Sequence, residues 1–144
     1  MLLKDLYKTA LSKTYGRPYI WGADGPDTFD CSGLIRVILK PCGILPLYDV
    51  NADEIYRFLL NEVEGIANVR GLGALAFFGS NLHIHHVGFC LDEFVMLNAA
   101  GGGPGITTIP LAIAHNANVK IEPIDLRGDL VGVIMPPYAQ HGFT

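Results

Sequence analysis

The chain has 144 residues, one domain's worth, half of them hydrophobic and 17% charged, with a mean hydropathy of +0.33. That composition excludes disorder and is enough for a core built without metal or disulfide staples. A net charge of −4 with no Lys/Arg cluster excludes a phosphate-neutralising surface, so nucleic acid is not an expected partner. No run approaches the about eighteen apolar residues of a membrane span, and three cysteines (Cys31, Cys42 and Cys90) cannot all pair within one monomer.

The first residues do not read as a secretory signal, because Lys4, Asp5 and Lys8 interrupt any apolar stretch and no small-residue cleavage site follows. The expectation is cytoplasmic synthesis, with any export made by another route or inside a larger assembly. Leu3, Leu6, Tyr7, Ala10 and Leu11 fall at helical spacing and predict an amphipathic first helix. Residues 15–30, rich in Gly, Pro, Asp and aromatics, predict an ordered loop. Residues 31–40 are apolar on nearly every face and closed by Pro41 and Gly43, the pattern of a buried helix. Asn51 with Glu54 three residues on is a capping-box pattern, starting a helix through Ile55, Phe58 and Leu59.

Strands follow. Residues 75–78 form one candidate, and 87–91 with 94–97 read as a hairpin around Asp92-Glu93. The glycine-rich stretch 101–105 must be a loop. Residues 106–109, 119–124 and 130–135 supply further strands, and the polar tail from Pro136 is expected to trail along the surface. Helices first and strands afterwards give an α+β fold around an antiparallel sheet, in a single domain spanning 1–144.

Cys31 opens a helix, where unpaired backbone N–H groups and the positive end of the dipole favour thiolate. An inert buried cysteine is the bland alternative. Two features weigh against it. The loop before Cys31 is more elaborate than a simple cap, and His86 lies in a strand whose apolar face would normally carry no histidine. A thiol hydrolase needs such an imidazole, to take the thiol proton and later protonate the leaving amine.

These residues resemble a known family. Tyr19-x-Trp21-Gly22, then Gly25-Pro26-Asp27-x-Phe29-Asp30-Cys31-Ser32-Gly33-Leu34, is similar to the signature of the NlpC/P60 cysteine peptidases, papain-like enzymes that cut bacterial cell-wall peptides. The strand ending at Phe78 and the segment His86-Val87-Gly88-Phe89 resemble the family's later motifs, so the likeness covers residues 15–103. It implies a papain-like α+β fold with the nucleophile helix packed on an antiparallel sheet. It implies Cys31 as nucleophile, His86 as base and Asn98 as the residue orienting the imidazole. It also implies Tyr19 at the oxyanion, and Asp30, Ser32 and Trp21 as substrate-binding residues. Asp30 and Ser32 would grip the free amine of a stem peptide, which points to the bond between γ-D-glutamate and a diamino acid. A plain helix N-cap is the rival reading of Asp30, and the start of a turn is the rival for Asn98. The chain departs from the common pattern at Ala23, Ala74 and Asn98, where many relatives carry Gly, Asp and His.

Strand alternation sets His83 and His85 on one face and His86 and Cys90 on the other, leaving His85 to face solvent or a helix. At most two ligands then converge, so no metal is expected; the chemistry needs no cofactor either. Cys42 and Cys90 read as structural, and stretch 101–105 lacks the lysine and context of a phosphate loop. Two other functions remain in view: a catalytically silent assembly module, as of a phage tail, and a papain-like amidase or acyltransferase on another substrate. The expected partners are bacterial peptidoglycan peptides. A phage tail or lysis component best fits the absence of a signal, with peptide recycling or an injected effector next.

Overall fold

In the computed structural model, which describes residues 2–46, 48–62 and 65–144 (Ile66 by its backbone alone), the first helical periodicity becomes α1, Leu3–Thr14, burying Leu6 and Ala10. Helix α2, Cys31–Leu39, is the centre of the molecule: Leu34, Ile35, Ile38 and Leu39 are all essentially sealed from solvent. Each such side chain removed from water contributes about 1.5–3 kcal/mol, which holds the start of α2 in place. A 3₁₀ turn, Lys40–Cys42, and Gly43 in the left-handed region at φ 65° end the helical run. Helix α3, Ala52–Asn61, begins with the full reciprocal capping box of Asn51 and Glu54.

The strands are β1, Ile66–Ala67; β2, Leu75–Ser80; β3, His83–Cys90; β4, Val95–Ala100; β5, Asn118–Pro123; and β6, Leu130–Met135. They form one sheet in the order β1-β6-β2-β3-β4-β5, with antiparallel neighbours throughout. The main core, including Leu34, Ile55, Phe77, Val87 and Phe89, lies between the sheet and the helices. A smaller apolar cluster on the other face gathers Ala76, Phe78, Cys90, Met96, Ile124 and Val133. Among the described residues no helix is long and apolar enough to cross a membrane.

Two local expectations are corrected. Residues 106–109 are not a strand. Although Ile106, Thr107, Thr108 and Ile109 have β-branched side chains, the Thr108 hydroxyl accepts the Leu111 N–H and starts α4, Ile109–Ala114, with Pro110 in its first turn. Nor does the tail simply trail. Tyr138 and Phe143 are buried, the Tyr138 hydroxyl donates to the Gly73 carbonyl at 2.6 Å, and the Leu3 N–H donates to the Thr144 carbonyl at 2.7 Å. Two aromatic anchors outweigh the polar residues around them.

Candidate active site

The start of α2 is fixed by Asp30. One carboxylate oxygen accepts the Gly33 N–H at 2.6 Å and the Ser32 hydroxyl at 3.3 Å, and the other accepts the Gly22 N–H at 3.0 Å. The helix-cap reading of Asp30 therefore holds geometrically, while the same residue also faces the cavity described below. Gly33 has to be glycine, because a Cβ there would run into the Ala23 carbonyl oxygen. The 19–30 loop is thus pressed onto the first turn of the helix. Arg36 secures it further, reaching Asp24 at 3.0 Å and Asp49 at 2.9 Å.

Cys31 is only partly buried, and its thiol donates to the His85 carbonyl at 3.8 Å. β3 and β4 pair only at Phe89–Leu97 and Cys90–Met96, so the start of α2 reaches β3 at a stretch that β4 does not cover. His85 is itself the extra residue of a bulge: Phe78 pairs with His86 and Gly79 with Ile84. Simple alternation across β3 is therefore corrected. Ile84 returns to the main core and His86 stays on the face of Phe78, whose ring lies 5.6 Å away. The His85 ring sits 3.5 Å from Asp129, which Arg127 also holds through two bonds, so His85 has neighbours of its own beside His86 rather than open solvent alone.

His86 is buried, and its Nε2 lies 2.7 Å from Asn98 Oδ1. Asn98 is fully sealed, and its Nδ2 donates to the Lys120 carbonyl at 3.3 Å and to Glu122 Oε1 at 3.1 Å. An amide oxygen can only accept, so His86 Nε2 carries the proton and Nδ1 holds the lone pair.

Tyr19 is buried under the glycine loop: a Cβ on Gly102 would overlap its ring. Burial, then the nearby Cys31 and Asp30, push the Tyr19 hydroxyl far above its ordinary pKa, so it stays protonated. It keeps no hydrogen-bond partner among the described residues. Tyr19, Trp21, Asp30, Cys31, Ser32 and His86 all line one cavity of about 700 Å³, with Asn98 behind His86. Trp21 is half exposed at its rim.

The electrostatics correct one expectation. N–H groups of Val87, Ser32 and Cys31 do lower the thiol pKa, but burial and the Asp30 carboxylate outweigh them and push it up to about 11. Burial likewise lowers His86 to about 4, with Arg127 and His85 adding to the fall and the bond to Asn98 opposing it. In the ligand-free protein both groups are therefore neutral, not a standing thiolate–imidazolium pair. Cys42 and Cys90 are buried thiols pushed up to about 11 and about 12 by desolvation, consistent with packing roles. Sequence reasoning missed Glu122, Arg127 and Asp129. Only the pairing of β4 with β5, and of β6 with β2, brings them to the site, and no local motif marks them.

This geometry sits on a fold with known counterparts. Residues 16–120 match the NlpC/P60 family. The chain belongs to that family. It is 32% identical over 104 residues to the probable endopeptidase p60 of Listeria grayi, covering 72% of this chain and 19% of that protein. Among solved structures, an NlpC/P60 family protein from Bacillus cereus aligns with 92% of this chain and 39% of its own, at 23% identity and a TM-score of 0.66. The peptidoglycan hydrolase RipB of Mycobacterium tuberculosis aligns with 92% of this chain and 63% of its own, at 21% identity and a TM-score of 0.57. The chain thus spans about a fifth of the Listeria grayi relative, and the structural likenesses establish the papain-like NlpC/P60 fold.

Proposed function

We propose that this domain is a cysteine endopeptidase acting on peptidoglycan stem peptides, at the bond between γ-D-glutamate and the following diamino acid. The observation that carries the reading is the shared cavity of Cys31 and His86, with the His86 Nε2–H spent on Asn98 and Nδ1 left basic. The Listeria grayi relative named an endopeptidase and the Mycobacterium tuberculosis neighbour named a peptidoglycan hydrolase support the substrate class.

Because thiol and imidazole start neutral, proton transfer accompanies attack. The Cys31 sulfur forms a bond to the peptide carbonyl carbon as its proton passes to His86 Nδ1. The resulting oxyanion is held by the Cys31 backbone N–H, which at a helix start has no intrahelical carbonyl to bond, and the Tyr19 hydroxyl. Collapse breaks the C–N bond, and His86 returns the proton to the departing amine. Water, deprotonated by His86, then hydrolyses the thioester and restores the thiol. On the acyl side, Asp30 keeps a free lone pair beyond its three accepted bonds to receive the peptide's amine, with Ser32 and Trp21 alongside.

The test is direct. Purified protein is expected to cleave L-Ala-γ-D-Glu-meso-diaminopimelate, read by mass spectrometry of the products, and Cys31→Ala is expected to abolish cleavage. Turnover unchanged by that substitution, or none by the unaltered protein, overturns the reading.

A further inference from the structure

We propose that Glu122 is a positioning residue: its carboxylate, by holding the Asn98 amide, decides which ring nitrogen of His86 carries the proton. This rests on the reading of His86 as the base. An asparagine amide is nearly symmetric in shape and could sit either way round. With Oδ1 toward His86, Nε2 is the donor and Nδ1 is basic. Turned over, the NH2 group would face the ring, Nε2 would have to accept, and the proton would move to Nδ1, where it blocks uptake of a thiol proton.

Asn98 is fully buried, so water does not choose between the two. The choice falls to the oxygens facing Nδ2: the Lys120 carbonyl at 3.3 Å and Glu122 Oε1 at 3.1 Å. Turning the amide over would oppose Oδ1 to both. The carboxylate is the stronger of the two, since a hydrogen bond to a charged acceptor is roughly twice as strong as one between neutral groups. Sheet register delivers it. Met96 pairs with Glu122 and Asn98 with Lys120, so Glu122 is the diagonal neighbour of Asn98 on the same face. Glu122 lies on the outermost strand and is only partly buried, with solvent within reach, yet its carboxylate turns to a sealed amide.

The test reads the tautomer directly, without substrate. Histidine ¹⁵N NMR at pH 7, with the His86 signals assigned by His86→Gln, is expected to show Nε2–H in the unaltered protein and in Glu122→Gln, which keeps an oxygen acceptor. Glu122→Met is expected to show a mixture, and Glu122→Lys, which presents a donor instead, mainly Nδ1–H. In turnover, kcat of Glu122→Lys is expected to fall about 10- to 100-fold with KM unchanged, and Glu122→Gln to restore most of it. An Nε2–H pattern retained in both the Met and Lys variants overturns the proposal, as does a kcat loss in Glu122→Gln equal to that in Glu122→Lys. A tautomer that responds in a protein that cleaves no peptide sustains the positioning role and removes the hydrolase reading instead.

Discussion

Cys31 and His86 are each shifted away from the charge that a preformed ion pair would need, and for the same reason. A helix start and three N–H groups lower a thiol pKa, but the space that shelters the thiol from water raises it more, and Asp30 adds to the rise. Alkylation of Cys31 by iodoacetamide is therefore expected to be slow at neutral pH and to climb toward pH 11 in the free protein. A rate plateau already reached below pH 7 would show a standing thiolate. His86 leaves a mark on stability. Its folded pKa of about 4 lies below the ordinary 6.5, so between those values the unfolded chain binds more protons. The neutral ring's contribution is complete above about pH 6.5 and is lost as pH falls through 4, an effect on the order of 3 kcal/mol. Urea titrations of His86→Gln should accordingly give a flatter stability profile over that range.

Among the elements, the glycine loop after β4 does more than turn the chain. Its Gly102 packs so closely on the Tyr19 ring that a Cβ there would overlap it. If the Tyr19 hydroxyl is the oxyanion donor we propose, Tyr19→Phe is expected to lower kcat by about 10²-fold. Gly102→Ala should lower it in the same direction by displacing the ring, and steady-state kinetics on folded variants checks both. Legibility divides along these lines. Helix α2, the capping box of α3 and the residues Tyr19, Asp30, Cys31 and His86 could be read because each is marked by near neighbours in sequence. The bulge at His85 could not, since an extra residue in β3 shows only against β2. Residues 106–109 misled because β-branched side chains suggest strand, while a Thr cap and a proline two residues later decided for helix. Glu122 was invisible for want of a partner strand.

At the scale of the whole molecule, the helices and the sheet meet in one main core, and the two ends of the chain close against each other at its side. Tyr138 ties the tail to the Gly73 carbonyl just before β2, the strand that carries Phe77 and Phe78. Tyr138→Phe leaves that buried carbonyl short of its donor and is expected to cost about 1–3 kcal/mol, measurable by chemical denaturation. Cleavage activity at moderate temperature should be unaffected, since the tie lies outside the cavity lining. The tail's role escaped sequence reading because two aromatics among polar residues give no periodic signal.

The register of β4 against β5 has one more consequence. His86, Asn98 and Glu122 come from three adjacent strands, and each hands its hydrogen bond to the next only if the strands are aligned as they are here. A slip of a single residue between β4 and β5 would turn Asn98 and Glu122 to opposite faces of the sheet. A misassembled copy would therefore lose the bond that holds the Asn98 amide. If His86 is the base we propose, the sheet's hydrogen-bond ladder acts as a safety catch, making errors in folding inert before they can become errors in cutting.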